Sequence, residues 1–512
     1  MLEYGLEGPP SRTAKPGVAG DSLARLNHAE RFRRQGDLSQ AQAICESLVR
    51  RHPGYAGPLH TLGLVLADGD HYEEALDCLV RAGMLDPRNA TTLAALSGVY
   101  LRLGAVEMAG ETIRKAVSIK PQDTSVLLML GDVCREECEY ELARDAYGQA
   151  LALDPTLVPA AIGLGWSLMD LGEPAEAARV FEGLVTRGVR LIEPLRALAA
   201  LPASAVGLDL QEHLDRAERD AGESKEEFET TAAFLRVIAL DRAERHPEAW
   251  RHAVEANRRV FRGLDGNVRR LAERRGNSLA ALRAHPGGVA PGSSAQPVSL
   301  FILGPSRSGK TMMEKLVSGL SGVKRGYENP IVENAVRRTC HSSSLPPESL
   351  LERLPPQFHP LCRDIYADEL ARRVVSANVF TNTNPGAINE AARMIEAFGN
   401  VRFILMKRNL EDNLLRIYMR RYTTGNAYAY DLKAARDHIV WYGEMTDLMA
   451  EKFPNIVRVI RYEEMISDPA AALRAAAQLC GLPAPVEPPP TLAGDAGCAG
   501  AYRRLMAAEL DA

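Results

Sequence analysis

One spacing dominates the N-terminal half of the chain. Alanine stands at positions 41, 75, 109, 143 and 177, each 34 residues from the next. Prolines at 53, 87, 121 and 155 keep the same interval. Small residues at 29, 63, 97, 131 and 165 (Ala, Gly, Ser, Gly, Gly) each stand 12 positions ahead of one of those alanines. Three classes of position on one period mark a stacked repeat, in which each unit buries its apolar face only against its neighbours. Small residues at two of the classes let paired helices approach closely, and Leu62, Leu96, Leu130 and Leu164 fill the space between them. The proline ends the second helix of each unit, because it has no N–H to donate and its ring clashes with the preceding turn.

This pattern resembles the tetratricopeptide repeat, with five units at 22–55, 56–89, 90–123, 124–157 and 158–191; the fifth carries Val189 in the proline's place. The resemblance implies an α-solenoid whose concave face binds a peptide or protein, or an array that only spaces or oligomerises the C-terminal half. From 192 to 284 helical patterning continues out of register, as in EEFETTAAFLRVIALDRA and PEAWRHAVEANRRVFRGL, and is expected to extend or cap the solenoid. HPGGVAPGSSAQP, 285–297, has the composition of a linker.

Composition narrows the function classes. Over 512 residues, 46% apolar and 25% charged content excludes wholesale disorder. A net charge of −5 gives no general attraction to nucleic acid or anionic lipid, so any anion site is local. The eight cysteines are scattered, and only Cys134 and Cys138 are close, so small buried thiols are expected rather than a metal site. The opening MLEYGLEGPPSRTAKPG lacks the basic and apolar regions of a secretory signal, and the longest uncharged apolar stretch, Pro155 to Met169, is too short to cross a bilayer. A cytoplasmic protein is the expectation.

At 298 the character of the chain changes. VSLFIL, 298–303, reads as a buried strand, GPSRSGKT, 304–311, as a loop, and MMEKLVSGL as a helix. Strand, glycine-bearing loop and helix N-terminus make an anion cradle. Read literally, the loop fits G-x-x-x-x-G-K-[ST], with Lys310 on phosphates and Thr311 on magnesium. A triphosphate site also needs an acid at the end of a neighbouring strand. VRFILM, 401–406, ends instead in Lys407 and Arg408, IVRVI, 456–460, runs into Arg461, and TNTNP, 381–385, offers amides. Cations in those places predict a ligand whose second anionic group is held by side chains without a metal ion.

These residues carry a further resemblance, over about 296–484, to sulfotransferases that use 3′-phosphoadenosine 5′-phosphosulfate (PAPS), the protein-tyrosine type included. The family's P-R-S-G-T-T-like loop, which holds the 5′-phosphosulfate, is matched by S-R-S-G-K-T (Ser306, Arg307, Ser308, Gly309, Lys310, Thr311). Its R-x-P-x-D-x-x-x-S element for the 3′-phosphate is matched by RNLEDNLLR, which keeps Arg408 and Asp412, and a later arginine by Arg420. YEEMISDPAAALRAAAQLCGLP matches a third element, with Tyr462 at a nucleotide-contacting position. GYEN, 326–329, places Glu328 at the family's catalytic glutamate.

The resemblance implies a P-loop α/β domain with a parallel sheet at 298–484, followed by a tail at 485–512. It implies transfer of a sulfuryl group from PAPS to an acceptor hydroxyl such as a polypeptide tyrosine. Glu328 would be the base, with Arg307 and Lys310 stabilising charge. Three positions depart from the pattern: Thr383 stands for a transition-state lysine, Arg416 for the 3′-phosphate serine, and no adenine-covering segment is evident in the last thirty residues. Arg416 and Arg420 are spaced to share a helix face, and Lys310 to replace the missing lysine. His341, His359 and His438 show no mutual spacing and read as structural. Two other readings stand beside this one: a non-catalytic repeat scaffold with a decayed nucleotide domain, and a P-loop NTPase or kinase.

Overall fold

The computed structural model describes residues 20–103, 105–137, 139–188, 192–220, 226–288, 297–346, 348, 350–373, 377–422, 425–485, 488–489, 491–492 and 494–511. The chain divides into two compact units, Met1–Glu223 and Ser224–Ala512.

In the first unit ten helices pair as the 34-residue period requires. They are α1 (Gly20–Arg34) with α2 (Leu38–Arg51), α3 (Ala56–Asp68) with α4 (Tyr72–Leu85), α5 (Ala90–Arg102) with α6 (Val106–Ile119), α7 (Thr124–Glu136) with α8 (Tyr140–Leu153), and α9 (Val158–Leu171) with α10 (Pro174–Thr186). The periodic alanines at 41, 75, 109, 143 and 177 are fully buried. A Cβ on Gly63 would lie 2.6 Å from Leu79, on Gly131 2.5 Å from Tyr147, and on Gly165 2.4 Å from Phe181. Those three large side chains also fall on the 34-residue period, so each pair packs a bulky residue onto a glycine. At the corresponding position of the third unit Ser97 donates instead to the carbonyl of Ala109 at 2.9 Å. Val189 and Cys138 lie outside the described residues. Two further helices, α11 (Ile192–Ala200) and α12 (Leu210–Asp220), follow in this unit.

The expected helical extension over 192–284 is corrected here, because it divides at Glu223. Helices α13 (Glu226–Arg242), α14 (His246–Phe261) and α15 (Asp265–Ala284) belong to the second unit. Their apolar faces are the reason. Val237, Leu240, Ala249, Trp250 and Ala253 share one core with Leu414, Leu415, Ile417, Tyr502 and Met506, and Leu282 enters the core beneath the sheet. Of the linker, 289–296 lies outside the described residues.

The sheet consists of β1 (Val298–Leu303), β2 (Val323–Lys324), β3 (Val379–Asn382), β4 (Val401–Lys407) and β5 (Val457–Arg461), all parallel, in the order β2-β3-β1-β4-β5. Both faces are covered, so the central strands are near-continuous apolar runs. Leu300 and Ile302 pack with α16 (Lys310–Ser318) and α23 (Pro469–Cys480) on one face. Phe301, Leu303 and Phe403 pack on the other with α17 (Ile331–Ser342), α18 (His359–Arg373), α19 (Ala391–Ala397) and α21 (Leu432–Lys452). Strand order reverses at β1, and in open α/β sheets the crevice at the C-terminal ends of such strands is the ligand site. The helices after β4 and β5, α20 (Leu410–Tyr418) and α22 (Tyr462–Ser467), flank that crevice. The segment 485–512, expected as a tail, carries α24 (Arg503–Asp511), and Tyr502 and Met506 are buried in the core with α13 and α14. Among the described residues no helix is long and apolar enough to cross a membrane.

Candidate active site

The loop between β1 and α16 takes its shape from two left-handed residues, Arg307 (φ 63°) and Gly309 (φ 97°). Alternation of this kind turns successive N–H groups to one side, as a nest for an anion. Gly309 also admits no side chain, since a Cβ there would lie 2.6 Å from the Tyr462 ring. Four successive loop carbonyls are held by side-chain donors. Lys310 Nζ donates to Gly304 O at 3.0 Å and Pro305 O at 3.5 Å, Asn413 Nδ2 to Ser306 O at 2.7 Å, and Arg408 Nη1 to Arg307 O at 3.0 Å. With these carbonyls engaged, and the Ser308 N–H bonded to Pro305 O at 3.2 Å, the other N–H groups of the loop are what its backbone offers a ligand.

The loop opens into a cavity of about 1310 Å³. Among the described residues Arg242, Arg307, Lys310, Lys315, Arg408, Arg416 and Arg420 line it, against two carboxylates, Asp241 and Asp495. Leu316, Leu320, Leu473 and several prolines between 483 and 489 form an apolar part of the same wall. Desolvation and the nearby Arg307 push the Lys310 ammonium down to about 8, with Glu328 opposing. Arg420 is brought to about 9 by burial first, and then by Arg307, Arg416 and Arg242. Cations that depress one another in this way are strongly disposed towards an anion.

The arginine side of the cavity is organised by a carboxylate. Asp495 Oδ1 accepts from Arg408 Nη2 at 2.8 Å and from the Tyr462 hydroxyl at 2.6 Å, and its Oδ2 accepts from Arg416 Nε at 2.6 Å. Arg408 also lies over the Tyr462 ring, 4.2 Å from its centre. Burial works against the Asp495 charge, but the Tyr462 hydroxyl and the two arginines overcome it and hold the carboxyl below its usual range. Arg416 reaches Asp241 of α13 at 3.3 Å, and Asp241 accepts from Tyr502 at 2.6 Å. Asp412, 2% exposed, accepts from the N–H groups of Gly497 and Ala499 at 2.6 and 2.8 Å and fixes the turn after Asp495.

Glu328 sits on a turn built from beneath. Glu314, fully buried one helical turn after Lys310, accepts from Arg325 Nε at 2.9 Å, the Tyr327 N–H at 2.9 Å and the Thr381 hydroxyl at 2.6 Å. Gly326 N–H donates to Thr381 Oγ1 at 2.9 Å, and Thr383 N–H to Tyr327 O at 2.9 Å. Tyr327 is left-handed, at φ 56°. The Glu328 carboxyl is raised, mainly by desolvation and by the charge of Glu314, while Lys310 opposes the shift.

Most residues singled out from sequence meet in one place: Ser306, Arg307, Gly309, Lys310, Thr311, Arg408, Arg416, Arg420 and Tyr462 all line the cavity. Ser308 and Glu328 do not. Ser308 is 1% exposed with its hydroxyl unpartnered, and Glu328 is exposed to solvent beside the loop. The expected common helix face of Arg416 and Arg420 is corrected: α20 ends at Tyr418, where Met419 N–H bonds to Leu415 and Ile417, so Arg420 enters the cavity from beyond the helix. Arg242, Asp241, Glu314 and Asp495 went unnoticed in the sequence. The first two belong to a segment with solenoid-like patterning, and the last to one without periodicity.

Residues 297–486 match the family model described as the sulfotransferase family, and residues 90–123 match the tetratricopeptide repeat. No curated protein matches the chain. Among solved structures, a thermophilic TPR protein (TTC0263) from Thermus thermophilus is 21% identical, covering 36% of this chain and 98% of its own, at a TM-score of 0.32. YrrB, described as a TPR protein with an unusual peptide-binding site, is 19% identical over 35% of this chain and 91% of its own, at 0.28. MamA is 19% identical over 33% and 93%, at 0.27. The anion loop, with Arg408, Arg416 and Arg420 of the cavity wall, thus belongs to a sulfotransferase-family domain, on a chain that also carries tetratricopeptide repeats.

Proposed function

We propose that the second unit transfers a sulfuryl group from PAPS to an acceptor hydroxyl, and that the repeats bind the polypeptide bearing it. One observation carries this reading. The loop cations and three arginines face a single cavity, so that one ligand with two separated anionic groups would satisfy both ends. The residues fit such a donor: the buried Arg408 has an Nε without a partner, and the apolar wall offers a surface for a base. Arg307, Lys310 and the loop N–H groups would hold the 5′ end, and Arg408, Arg416 and Arg420 the 3′-phosphate. The donor supplies an activated sulfuryl group. Glu328, its basicity raised by desolvation and Glu314, would take the acceptor's proton, help that is typically worth about 10²–10⁴-fold. Lys310, next to Glu328 in the electrostatics of the site, would take the place of the lysine that Thr383 does not provide.

A phenolic acceptor such as tyrosine, with an ordinary pKa of about 10, is the hydroxyl a carboxylate base most readily assists. Peptide recognition by the repeats is supported by the repeat match. The carboxylates that line the cavity among the described residues, Asp241 and Asp495, are each engaged by Arg416, which disfavours a metal-triphosphate reading. The test is radiolabel transfer from PAPS to tyrosine-containing peptides by the full-length protein. Transfer that is lost in Glu328→Ala is expected; equal transfer by that variant removes Glu328 from the chemistry.

A further inference from the structure

Arg408 and Arg416, assigned above to the donor's 3′-phosphate, already share an anion that belongs to the chain. The two oxygens of Asp495 are divided between them at 2.8 and 2.6 Å, and the Tyr462 hydroxyl completes the set at 2.6 Å. This is the contact set a phosphate would make: two guanidinium groups and a hydroxyl around a centre of negative charge. We propose that Asp495 is a built-in competitor for the donor, occupying the 3′-phosphate subsite so that a 3′-phosphorylated nucleotide binds only as the carboxylate leaves. The inference rests on the PAPS reading and adds a regulation of the same site.

The geometry provides for the exchange. A carboxylate brings one negative charge and two acceptors, whereas a phosphate monoester near neutral pH brings about 1.5 to 2 charges and three acceptors. The phosphate therefore wins the arginines once the rest of the nucleotide is seated. The turn after Asp495 is held by Asp412 through Gly497 and Ala499 and by the Asp495 carbonyl, which accepts from the Cys498 N–H at 3.3 Å and Arg408 Nη2 at 3.2 Å, so it does not depend on the Asp495 carboxylate. The carboxylate leaves by a local side-chain movement while the turn stays anchored. In the empty protein Asp495 offsets the repulsion among the cavity cations, so it stabilises the fold and weakens donor binding together. A residue that merely arranged the arginines would stabilise the fold and strengthen binding.

The opposite signs make the test. Full-length wild type, Asp495→Asn and Asp495→Ala are titrated calorimetrically with adenosine 3′,5′-bisphosphate and with adenosine 5′-monophosphate, and their Tm values are measured without ligand. Both variants are expected to bind the bisphosphate at least about fivefold tighter, a change of about 1 kcal/mol, with a lower ligand-free Tm. The monophosphate should change less than about twofold, since it lacks the group that meets the arginine pair. Wild-type binding of the bisphosphate with unchanged or weaker binding in these variants overturns the inference alone. Absence of binding by every protein overturns the PAPS reading beneath it.

Discussion

Lys310 shows how far a single side chain is shaped by its task. It is 7% exposed and its ammonium is lowered from 10.5 to about 8. A folded-state value below the unfolded one means that the native chain holds fewer protons between pH 8 and 10.5. Stability therefore rises with pH across that window, and the charged form costs the fold free energy at pH 7. Lys310→Met is expected to weaken bisphosphate binding more than about tenfold. Bisphosphate affinity in the wild type should fall as pH rises from 7 to 9.5, as Lys310 loses its proton. Calorimetry across that range checks the sign, and pH-independent affinity would remove Lys310 from the anion site. Arg408→Ala should cost more than about tenfold in the same titration, because a lost charged hydrogen bond is worth about 1.5–3 kcal/mol.

Among the elements, α16 and the turn after β2 act together. The helix begins with Lys310 at the loop and places Glu314 one turn on, where it holds the Tyr327 N–H and the Thr381 hydroxyl. The spacing of loop and Glu328 is thereby built into one helix. Thr381→Val, which removes the bonds to Glu314 and Gly326, is expected to lower stability by about 1–3 kcal/mol in denaturant unfolding. It should leave bisphosphate affinity within about twofold, as none of the residues proposed to hold the donor is touched. Parallel loss of affinity would tie the turn to the donor cradle instead. The loop and Arg408, which meet at the cavity, were legible in the sequence because each sits in a short local motif. Glu314 was not: in MMEKLVSGL it reads as a polar residue on a solvated face, and only Arg325 and Thr381, brought in by β2 and β3, make its burial sensible. Asp495 has no motif around it and acquires meaning only where Arg408 and Arg416 converge.

For the molecule as a whole, the sequence disclosed the two architectures but misplaced the border between them. Periodicity identifies the paired helices through α10, because every repeat places a small residue and a buried alanine at the same two positions. It says nothing of α13 to α15, whose amphipathic faces fit a solenoid and a sheet domain equally well on paper. Packing decides it: Trp250 and Leu240 join the core of α20, Asn257 donates to Tyr418 O at 2.8 Å, and Trp441 donates to Arg275 O at 3.0 Å. A fragment starting at residue 224 is therefore expected to unfold cooperatively, and one starting at 285 to be insoluble or molten, by near-UV circular dichroism and thermal melting. The family match ends at 297 and 486, yet Asp241, Arg242 and Asp495 lie outside it and line the cavity. The site is thus a property of the whole second unit. The most direct test is a calorimetric comparison of adenosine 3′,5′-bisphosphate, without divalent ion, against ATP with magnesium on the full-length protein. Micromolar binding of the bisphosphate and little or none of magnesium-ATP is predicted; the reverse order would contradict a donor site built from arginines.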